Sequence, residues 1–379
     1  MKRAQLNQLA IAISLTGYEH IDFECLSTVA NQSRRTFEVI CVGPDLSAYR
    51  EIAEMVELPD PSEEITLPRG YSNLAEIFQM LAVRDIPISF IDCDGSLDKQ
   101  RAIALAEADS EAIIFMDNAL ILQPRAVAYA LTKLQNFECD IVRFHSRRFD
   151  YAVGKYVSIR LSGMARAEVD SLPSFVPSER SGTLFTDMDS RLDDKIFKVD
   201  LLRSVEGGFR AKGAMEPEPF VLQALAKANK VASMNIALTE RAFDSNDFAD
   251  LAEADWNDRI SPLIALAGSP EMGEGGEFQQ AYRRWLAHTC AEAVESASPE
   301  AHRGVIENIR KRVIPLLGLS DAEPGYYADD EALEVMTTIA EHPAAEFDAC
   351  MRARDERLAA ELERMEREMM ERRRGQATS

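Results

Sequence analysis

Apolar runs alternate with stretches of helical periodicity along the first two thirds of the chain. The clearest run is Ala112 to Met116, which ends abruptly on Asp117 and Asn118. Because it is apolar at every position, it predicts a central strand buried on both faces between helices. Such a strand would bring Asp117 to the edge of the sheet where open α/β sheets bind ligands. The alternative for Asp117 is a residue that only caps a turn.

Similar patterns lie on both sides of this run. Apolar runs predict strands over 9–15, 37–42, 86–91, 139–149 and 230–238, with 153–161 as a hairpin partner. Periodic stretches predict helices over 21–32, 46–56, 74–83 and 99–108, one that opens at Pro124, and one over 221–228. The segments 59–69 and 171–190 are rich in turn residues and predict loops. Strands that alternate with helices predict a mainly parallel sheet with right-handed crossovers.

The character of the sequence changes after residue 249, where strand signals disappear. We therefore expect an α/β domain over 1–249, a helical region over 250–349 and a charged helical tail over 350–379. An apolar stripe predicts one helix over 351–374, which either extends from the body or pairs with a second copy. The stripe consists of Leu358, Leu362, Met365 and Met369. Deletion after Ala349 is expected to leave the fold intact.

Composition narrows the range of partners. Apolar residues make up 46% and charged residues 28% of the 379 residues, as in ordinary globular proteins. Lys and Arg number 42 against 64 Asp and Glu, which gives a formal net charge of −22. This charge disfavours a long interface with a phosphate backbone, so we expect no nucleic-acid partner. The polar N-terminus with no long apolar segment behind it predicts neither a signal peptide nor a membrane span.

Several common motifs are missing from the sequence. The six cysteines are far apart and form no Cys-x-x-Cys pair, so we expect no zinc site and a reduced, cytoplasmic compartment. No GxGxxG or GxxxxGK[ST] is present, so a classical dinucleotide fold or a P-loop is not supported. No GxSxG surrounds any serine, which leaves a serine hydrolase without support.

Several segments follow one another in an order that matches a known family. They are a first strand at 10–14 with Leu26-Ser27 and Asn31-Gln32 behind it, a second strand at 37–40, Gly95-Ser96 with Arg101 before an Ala-rich helix, Phe115-Met116-Asp117, the segment 195–202, Glu216 to Phe220, and Arg241 to Ser245. In this arrangement the chain resembles the family 2 glycosyltransferases over roughly Leu9 to Ser245.

The resemblance implies a fold and an activity. The fold would be α/β, with a mainly parallel sheet flanked by helices as in A-type glycosyltransferases, followed by an α-helical C-terminal region. The activity would be transfer of a sugar from a nucleotide-sugar donor to a glycan or cell-surface polysaccharide acceptor. A sugar that leaves a nucleoside diphosphate develops negative charge on the pyrophosphate, which Mg²⁺ or Mn²⁺ held by carboxylates neutralises in such enzymes.

The resemblance also implies the residues that would act. Asp117 would bind the metal or the ribose, and Glu216 or Glu218 would be the general base that deprotonates the acceptor hydroxyl. The donor would be bound by residues at the strand ends and the next helix, namely Leu15, Thr16, Asp45, Asp94, Arg101 and Asn118. The prolines at 217 and 219 predict an extended loop in which Glu216 and Glu218 share one face.

Three positions depart from the family pattern. Gly43 follows the second strand where the family has an acid, Ala119 stands at the second acid of Asp-x-Asp, and Pro217 stands at the catalytic Asp. These departures favour an alternative, a catalytically silent member that binds a nucleotide, a glycan or a partner enzyme in the same cleft. An enzyme of different chemistry on the same scaffold is a third reading. The acids at strand ends could also be plain turn caps, and Arg101, Glu216 and Glu218 could be solvated.

Overall fold

The apolar runs at the start of the chain form a parallel half-sheet in the computed structural model of the protein. Strand β1 (Leu9–Ser14) pairs with β2 (Phe37–Gly43) on one side and with β4 (Ala112–Asp117) on the other, and β3 (Ile88–Asp92) pairs with β2. All of β1 is buried, as is β4 up to Asp117. The prediction of a buried strand that ends on Asp117 is therefore confirmed. The structure describes residues 8–57, 72–157, 172–209, 217–243, 252–319 and 331–377.

The second half of the sheet is mixed. β8 (Lys195–Lys198) lies antiparallel between β4 and β6 (Ile141–Asp150), and β9 (Val231–Phe243) runs parallel to β6. β5 (Leu120–Leu122) pairs antiparallel with β9, and β7 (Lys155–Val157) pairs antiparallel with β6. The longest pairings are parallel, so the predicted fold class, a mainly parallel α/β sheet flanked by helices, is confirmed.

Helices account for most of the remaining described residues. Up to residue 243 they are α1 (Glu19–Ala30), α2 (Ser47–Glu57), α3 (Ser72–Val83), α4 (Leu97–Glu107), α5 (Ala126–Phe137), α6 (Leu184–Met188), α7 (Val199–Arg203) and α8 (Glu218–Lys227). After that they are α9 (Glu253–Leu266), α10 (Gln279–Ser296), α11 (His302–Arg312), α12 (Ile314–Leu317), α13 (Glu331–Glu341) and α14 (Phe347–Ala377). No helix in the described ranges is long and apolar enough to cross a membrane.

The chain divides into two units, each with its own buried residues. One unit comprises Met1–Ala249 and Ser261–Tyr282, and the other comprises Asp250–Ile260 and Arg283–Ser379. In the second unit α14 includes the helix predicted over 351–374, and Arg354 of α14 forms a 2.5 Å ion pair with Glu334 of α13. The domain limits predicted at residues 249 and 349 stay predictions.

Two local predictions are wrong, and one short strand was not predicted. The segment 171–190 is not all loop, because it contains a 3₁₀ turn (Pro177–Arg180) and helix α6, which are too short to show helical periodicity. The last strand continues to Phe243 instead of ending at residue 238, and its added part contains the polar residues Thr239, Glu240 and Arg241, which interrupt the apolar run. The short strand β5 was not predicted. The predicted loop 59–69 lies outside the described residues.

Candidate functional site

The C-terminal ends of the four parallel strands meet at one edge of the sheet. Ser14 at the end of β1 is in register with Val42 and with Asp117, and Gly43 is in register with Asp92. The loops that follow these strands therefore lie side by side, where open α/β sheets bind ligands. We call these loops, residues 15–17, 43–46, 92–95 and 117–119, the strand-end site.

The loops after β1 and β2 approach each other through their backbones. Gly17 has φ +82°, and a Cβ atom there would lie 2.7 Å from the carbonyl oxygen of Pro44. A Cβ atom on Gly43 would lie 2.5 Å from the carbonyl oxygen of Leu15. Glycine at 43, the last residue of β2, is thus a packing requirement in this chain, and it explains why no acid stands at this position.

A buried acid holds the first loop in place. The Asp22 carboxylate is fully buried and accepts hydrogen bonds from Thr16 N (3.0 Å), Thr16 Oγ1 (2.9 Å), Gly17 N (3.0 Å) and Tyr49 Oη (2.8 Å). Thr16, predicted to bind the donor, is therefore positioned through Asp22. Asp22 was not predicted from the sequence, although an acid among the apolar residues of the first helix is a usable signal.

The third strand end is tied to the second loop. Asp92 accepts a hydrogen bond from Leu46 N (2.7 Å) and forms an ion pair with Arg50 (2.9 Å), and these contacts lower the pKa of Asp92, the Arg50 hydrogen bond most. Asp45 has φ +43° and accepts a hydrogen bond from Ser47 Oγ at 2.7 Å. The side-chain contact of Asp45 thus fits the turn-cap alternative, while its position still places it at the strand-end site.

The other residues predicted to bind the donor take different positions. Leu15 is buried, Asp94 is exposed and Asn118 is partly exposed, all at the strand-end site. Arg101 lies on α4, where its Nη1 donates to Asp98 at 3.1 Å and both side chains are mostly buried. Burial raises the pKa of Asp98, although the Arg101 cation works against that shift. Arg101 is thus held within its own helix.

Asp117 is held by an arginine from the far end of β9. Arg241 Nη2 donates to Asp117 Oδ2 at 2.7 Å, and Asp117 Oδ1 accepts a hydrogen bond from Ala119 N at 3.1 Å. Arg241 Nε also donates to Asp193 Oδ2 at 3.2 Å. The side chains are 15% exposed at Asp117, 25% at Arg241 and 13% at Asp193. One guanidinium therefore bridges two nearly buried carboxylates at the end of the central strand.

This bridge belongs to a larger group of charges, which we call the charged cluster. It consists of Asp117, Arg143, Arg148, Asp189, Arg191, Asp193, Asp194, Lys195 and Arg241. Lys195 pairs with Asp189 (3.0 Å) and Asp194 (2.7 Å). Arg191 also pairs with Asp189 (3.3 Å) and Asp194 (2.9 Å). Arg143 lies 3.7 Å from Asp194, and Arg148 acts electrostatically on Asp193.

The cluster shifts the pKa values of its members in opposite directions. For Asp193, burial alone would raise the pKa, but the cations of Arg191, Arg241 and Arg148 outweigh it and lower the pKa below its usual range. The pKa of Asp189 is lowered in the same way, chiefly by Arg191 and Lys195 against the effect of burial. Burial and the neighbouring Asp189 raise the pKa of Asp194. Burial would lower the pKa of Arg241, but Asp117 and Asp193 raise it.

The residues around Asp117 do not fit a divalent cation bound by several carboxylates. Both Asp117 oxygens already accept hydrogen bonds, and the next carboxylate, Asp193, shares the same guanidinium. Ala119 contributes only its backbone N–H, which points to Asp117. Among the described residues no group of three or more His, Cys, Asp or Glu side chains could hold a metal ion. A metal role for Asp117 therefore stays a prediction, and no chemical step is derived through a metal.

The structure describes only one of the two residues that were predicted as the general base. Glu216 lies outside the described residues. Glu218 is the first residue of α8, with Pro217 as the N-cap, and it is 2% exposed. The extended conformation predicted for this segment is wrong at Glu218, because Pro219 suits the first turn of a helix, where no backbone N–H is needed.

Comparison with solved structures identifies the fold. S. aureus TarS residues 1–349 in complex with UDP-GlcNAc matches with a TM-score of 0.55 and 16% identity over 88% of this chain and 90% of that one. The same TarS fragment in complex with UDP matches with a TM-score of 0.53 at 16% identity over the same shares. The mannosyltransferase PcManGT from Pyrobaculum calidifontis, in complex with GDP-Man and Mn²⁺, has a TM-score of 0.45 and 13% identity over 80% of this chain and 79% of that one.

The TarS match defines the class of fold. TarS has an A-type glycosyltransferase fold, and this chain shares that fold over most of its length. No protein-family model matches the chain, and no curated protein sequence matches it. Because the sequence identity to TarS is only 16%, the likeness concerns the fold. The chemistry depends on the residues of the strand-end site and the charged cluster.

Proposed function

We propose that this protein is a glycosyltransferase of the family 2 type. It would transfer a sugar from a nucleotide-sugar donor to a glycan or cell-surface polysaccharide acceptor, as a step in polysaccharide biosynthesis. The observation that carries the proposal is the meeting of four strand-end loops beside a bridged Asp117, on a fold that TarS uses to bind UDP-GlcNAc. Ligands of open α/β sheets bind at that edge.

The proposal assigns roles to named residues. The donor would lie against Leu15, Thr16 and the loops that contain Asp45, Asp94 and Asn118, with Asp117 at the ribose or at a metal. Arg101 would act from the next helix once it leaves Asp98. Asp22 supports this arrangement because it fixes Thr16 and Gly17 by three of its hydrogen bonds.

The acceptor hydroxyl needs a general base, and the proposal assigns this role to Glu216 or Glu218. An inverting transfer requires the base on the face opposite the leaving group, and a carboxylate there accepts the proton as the new glycosidic bond forms. Glu218 is nearly buried at the start of α8, so it would act on an acceptor that reaches the first turn of that helix. Mg²⁺ or Mn²⁺ would be the metal if the reaction uses one.

The test is a transfer assay on the full chain. UDP-GlcNAc and GDP-mannose are each offered with a mixture of glycan acceptors, in Mn²⁺ and in EDTA, and release of nucleoside diphosphate is measured. We expect acceptor-dependent release by the wild type, and at least a tenfold loss in Glu216→Gln or Glu218→Gln, since general bases contribute about a hundredfold or more.

A matched control separates chemistry from folding. Glu206→Gln makes the same change at an exposed position and should keep wild-type turnover. Each variant is checked for an unchanged thermal midpoint before its rate is compared. Robust wild-type transfer that neither substitution lowers tenfold would rule out both residues as the base.

A second candidate is a silent member of the same fold that binds a nucleotide or a glycan without transfer. It is favoured by Pro217, which stands at the position of the family's catalytic acid and serves here as the N-cap of α8. A thermal-shift screen with uridine, guanosine and cytidine diphosphates distinguishes the two, because a ligand of the native state raises the midpoint. Binding of a nucleotide without turnover of any nucleotide-sugar would favour this candidate.

A further inference from the structure

We propose that the guanidinium of Arg241 takes the place of a divalent cation and binds the diphosphate of a nucleotide at the strand-end site. Nucleoside diphosphates would then bind this protein in the absence of metal. The inference rests on the proposed function, because it assumes that the strand-end site accepts a nucleotide. It differs from the metal site that the family resemblance implies at Asp117.

The first argument is position. The last residue of the central strand, Asp117, holds the Arg241 guanidinium at 2.7 Å, so a permanent cation lies at the strand end. The metal of an Asp-x-Asp site would need the carboxylate oxygen that Arg241 now occupies. Arg148 is the register partner of Arg241 in the β6–β9 pair, and side chains in register lie on the same face. A second arginine therefore stands beside the first.

The second argument is the remaining hydrogen-bonding capacity of Arg241. Its Nη2 and Nε donate to Asp117 and Asp193, and its Nη1 has no acceptor among the described residues. A quarter of the side chain is exposed, so a ligand can reach it. A guanidinium with donors to spare matches the paired oxygens of a phosphate group, to which arginine binds strongly.

The third argument is the number of cations in the charged cluster. Five cations (Arg143, Arg148, Arg191, Lys195 and Arg241) lie among four carboxylates (Asp117, Asp189, Asp193 and Asp194). They are concentrated beside one strand end in a chain whose formal net charge is −22. Cations attract a diphosphate and repel a divalent cation, which favours anion binding at this place.

The central experiment uses wild-type protein. Binding of uridine diphosphate and guanosine diphosphate to the full chain is measured by titration calorimetry in EDTA and in Mn²⁺. We expect binding of at least one of them in EDTA, with a dissociation constant within about threefold of that in Mn²⁺. Binding that needs Mn²⁺ would overturn the inference and leave the proposed function standing. Absence of binding in both buffers would overturn the proposed function as well.

One substitution and a matched control test the role of Arg241. Arg241→Met should weaken binding in EDTA by at least about tenfold, the scale of one lost charge-assisted hydrogen bond. Arg125→Met, which removes the same charge from an exposed residue, should leave binding unchanged. Equal weakening by both variants would contradict the inference, because it would show only a long-range effect of net charge.

Asp117→Asn gives different results under the two hypotheses, and it is the decisive variant if Arg241→Met does not fold. If Asp117 were a metal ligand, its loss would weaken nucleotide binding in Mn²⁺ much more than in EDTA. If the guanidinium binds the diphosphate, the substitution should change the dissociation constant by the same factor in EDTA and in Mn²⁺, because no metal takes part. A loss of affinity that is more than about threefold larger in Mn²⁺ than in EDTA would overturn the inference.

Discussion

At the scale of single residues, Gly43 sets how closely the loops after β1 and β2 approach each other. Any side chain there would begin 2.5 Å from the backbone of Leu15, which cannot move aside as the end of a flexible side chain can. An acid at this position would therefore push the two loops apart. The glycine at 43 is thus coupled to the geometry of the neighbouring loop.

Substitution of this glycine tests that coupling. We expect Gly43→Ala to lower the free energy of unfolding by about 1–3 kcal/mol, the usual cost of overpacking, as measured in urea with an unchanged m-value. Gly268→Ala is the matched control, because a Cβ atom there would lie no closer than 3.5 Å to its nearest neighbour. A Gly43→Ala protein as stable as the control would mean that the loops separate at little cost.

At the scale of elements, the segment that leads into β8 concentrates charge that folding must pair. Asp189, Asp193 and Asp194 precede the strand, and each contacts a cation from another part of the chain or from the segment itself. The lowered pKa of Asp193 means that its ionised form is favoured in the folded state. Asp193 therefore stabilises the fold at pH values above the pKa that it has in the unfolded chain. This contribution is lost as the pH falls through the lower pKa that it has in the folded protein.

This linkage predicts how Asp193→Asn depends on pH. At pH 7 the variant should lose on the order of 3 kcal/mol of unfolding free energy, because Arg191 and Arg241 lose a partner in a nearly buried place. Below about pH 4, near the unfolded pKa of an aspartate, the difference from the wild type should shrink. Urea unfolding at pH 7, pH 4 and about pH 2 measures it, and the raised pKa of Asp194 largely cancels because both proteins contain it.

The control for this series is Asp200→Asn, at an exposed position on α7. It should change the unfolding free energy by less than about 0.5 kcal/mol at each pH. A difference between wild type and Asp193→Asn that does not shrink between pH 4 and about pH 2 would contradict the linkage.

The sequence predicted the elements better than it predicted their partners. β4 was predicted correctly because five consecutive buried residues leave an unmistakable apolar run before Asp117. The ion pair with Arg241 was not predicted, because it joins residues 124 apart and neither residue carries a local signal of the other. Asp22 was missed for a similar reason, since its four hydrogen bonds appear only once the first loop and α2 are in place. The prolines beside Glu218 predicted an extended backbone, but Pro219 fits the first turn of the helix that begins at Glu218.

At the scale of the whole chain, α14 contains two parts with different surroundings. Phe347 is buried at its start, and Arg354 is 15% exposed in its ion pair with Glu334. Beyond Arg357 the side chains that the structure describes are exposed, including Met365 at 52%. Leu358, Leu362 and Met369, the rest of the predicted stripe, lie outside the described side chains.

Two deletions separate these parts. Deletion after Arg357 keeps the Arg354 pair and should leave the thermal midpoint within about 1 °C of the full chain, whereas deletion after Ala349 removes the pair and should lower it by about 2–5 °C. Both proteins should remain folded, as measured by circular dichroism and sedimentation. Aggregation or unfolding of the protein that ends at Arg357 would place the stripe in a core or in a contact with a second copy.

The distance along the chain between Asp117 and Arg241 also has a consequence during synthesis. The parallel half-sheet that ends on Asp117 can form early, while its arginine partner is made 124 residues later. At ordinary rates of translation that interval lasts roughly 6 to 25 s, during which the nascent chain has a strand end without its cation. The strand-end site is thus completed among the last parts of its domain, and a nascent chain that is cut short in the interval would lack the ion pair at the end of its central strand.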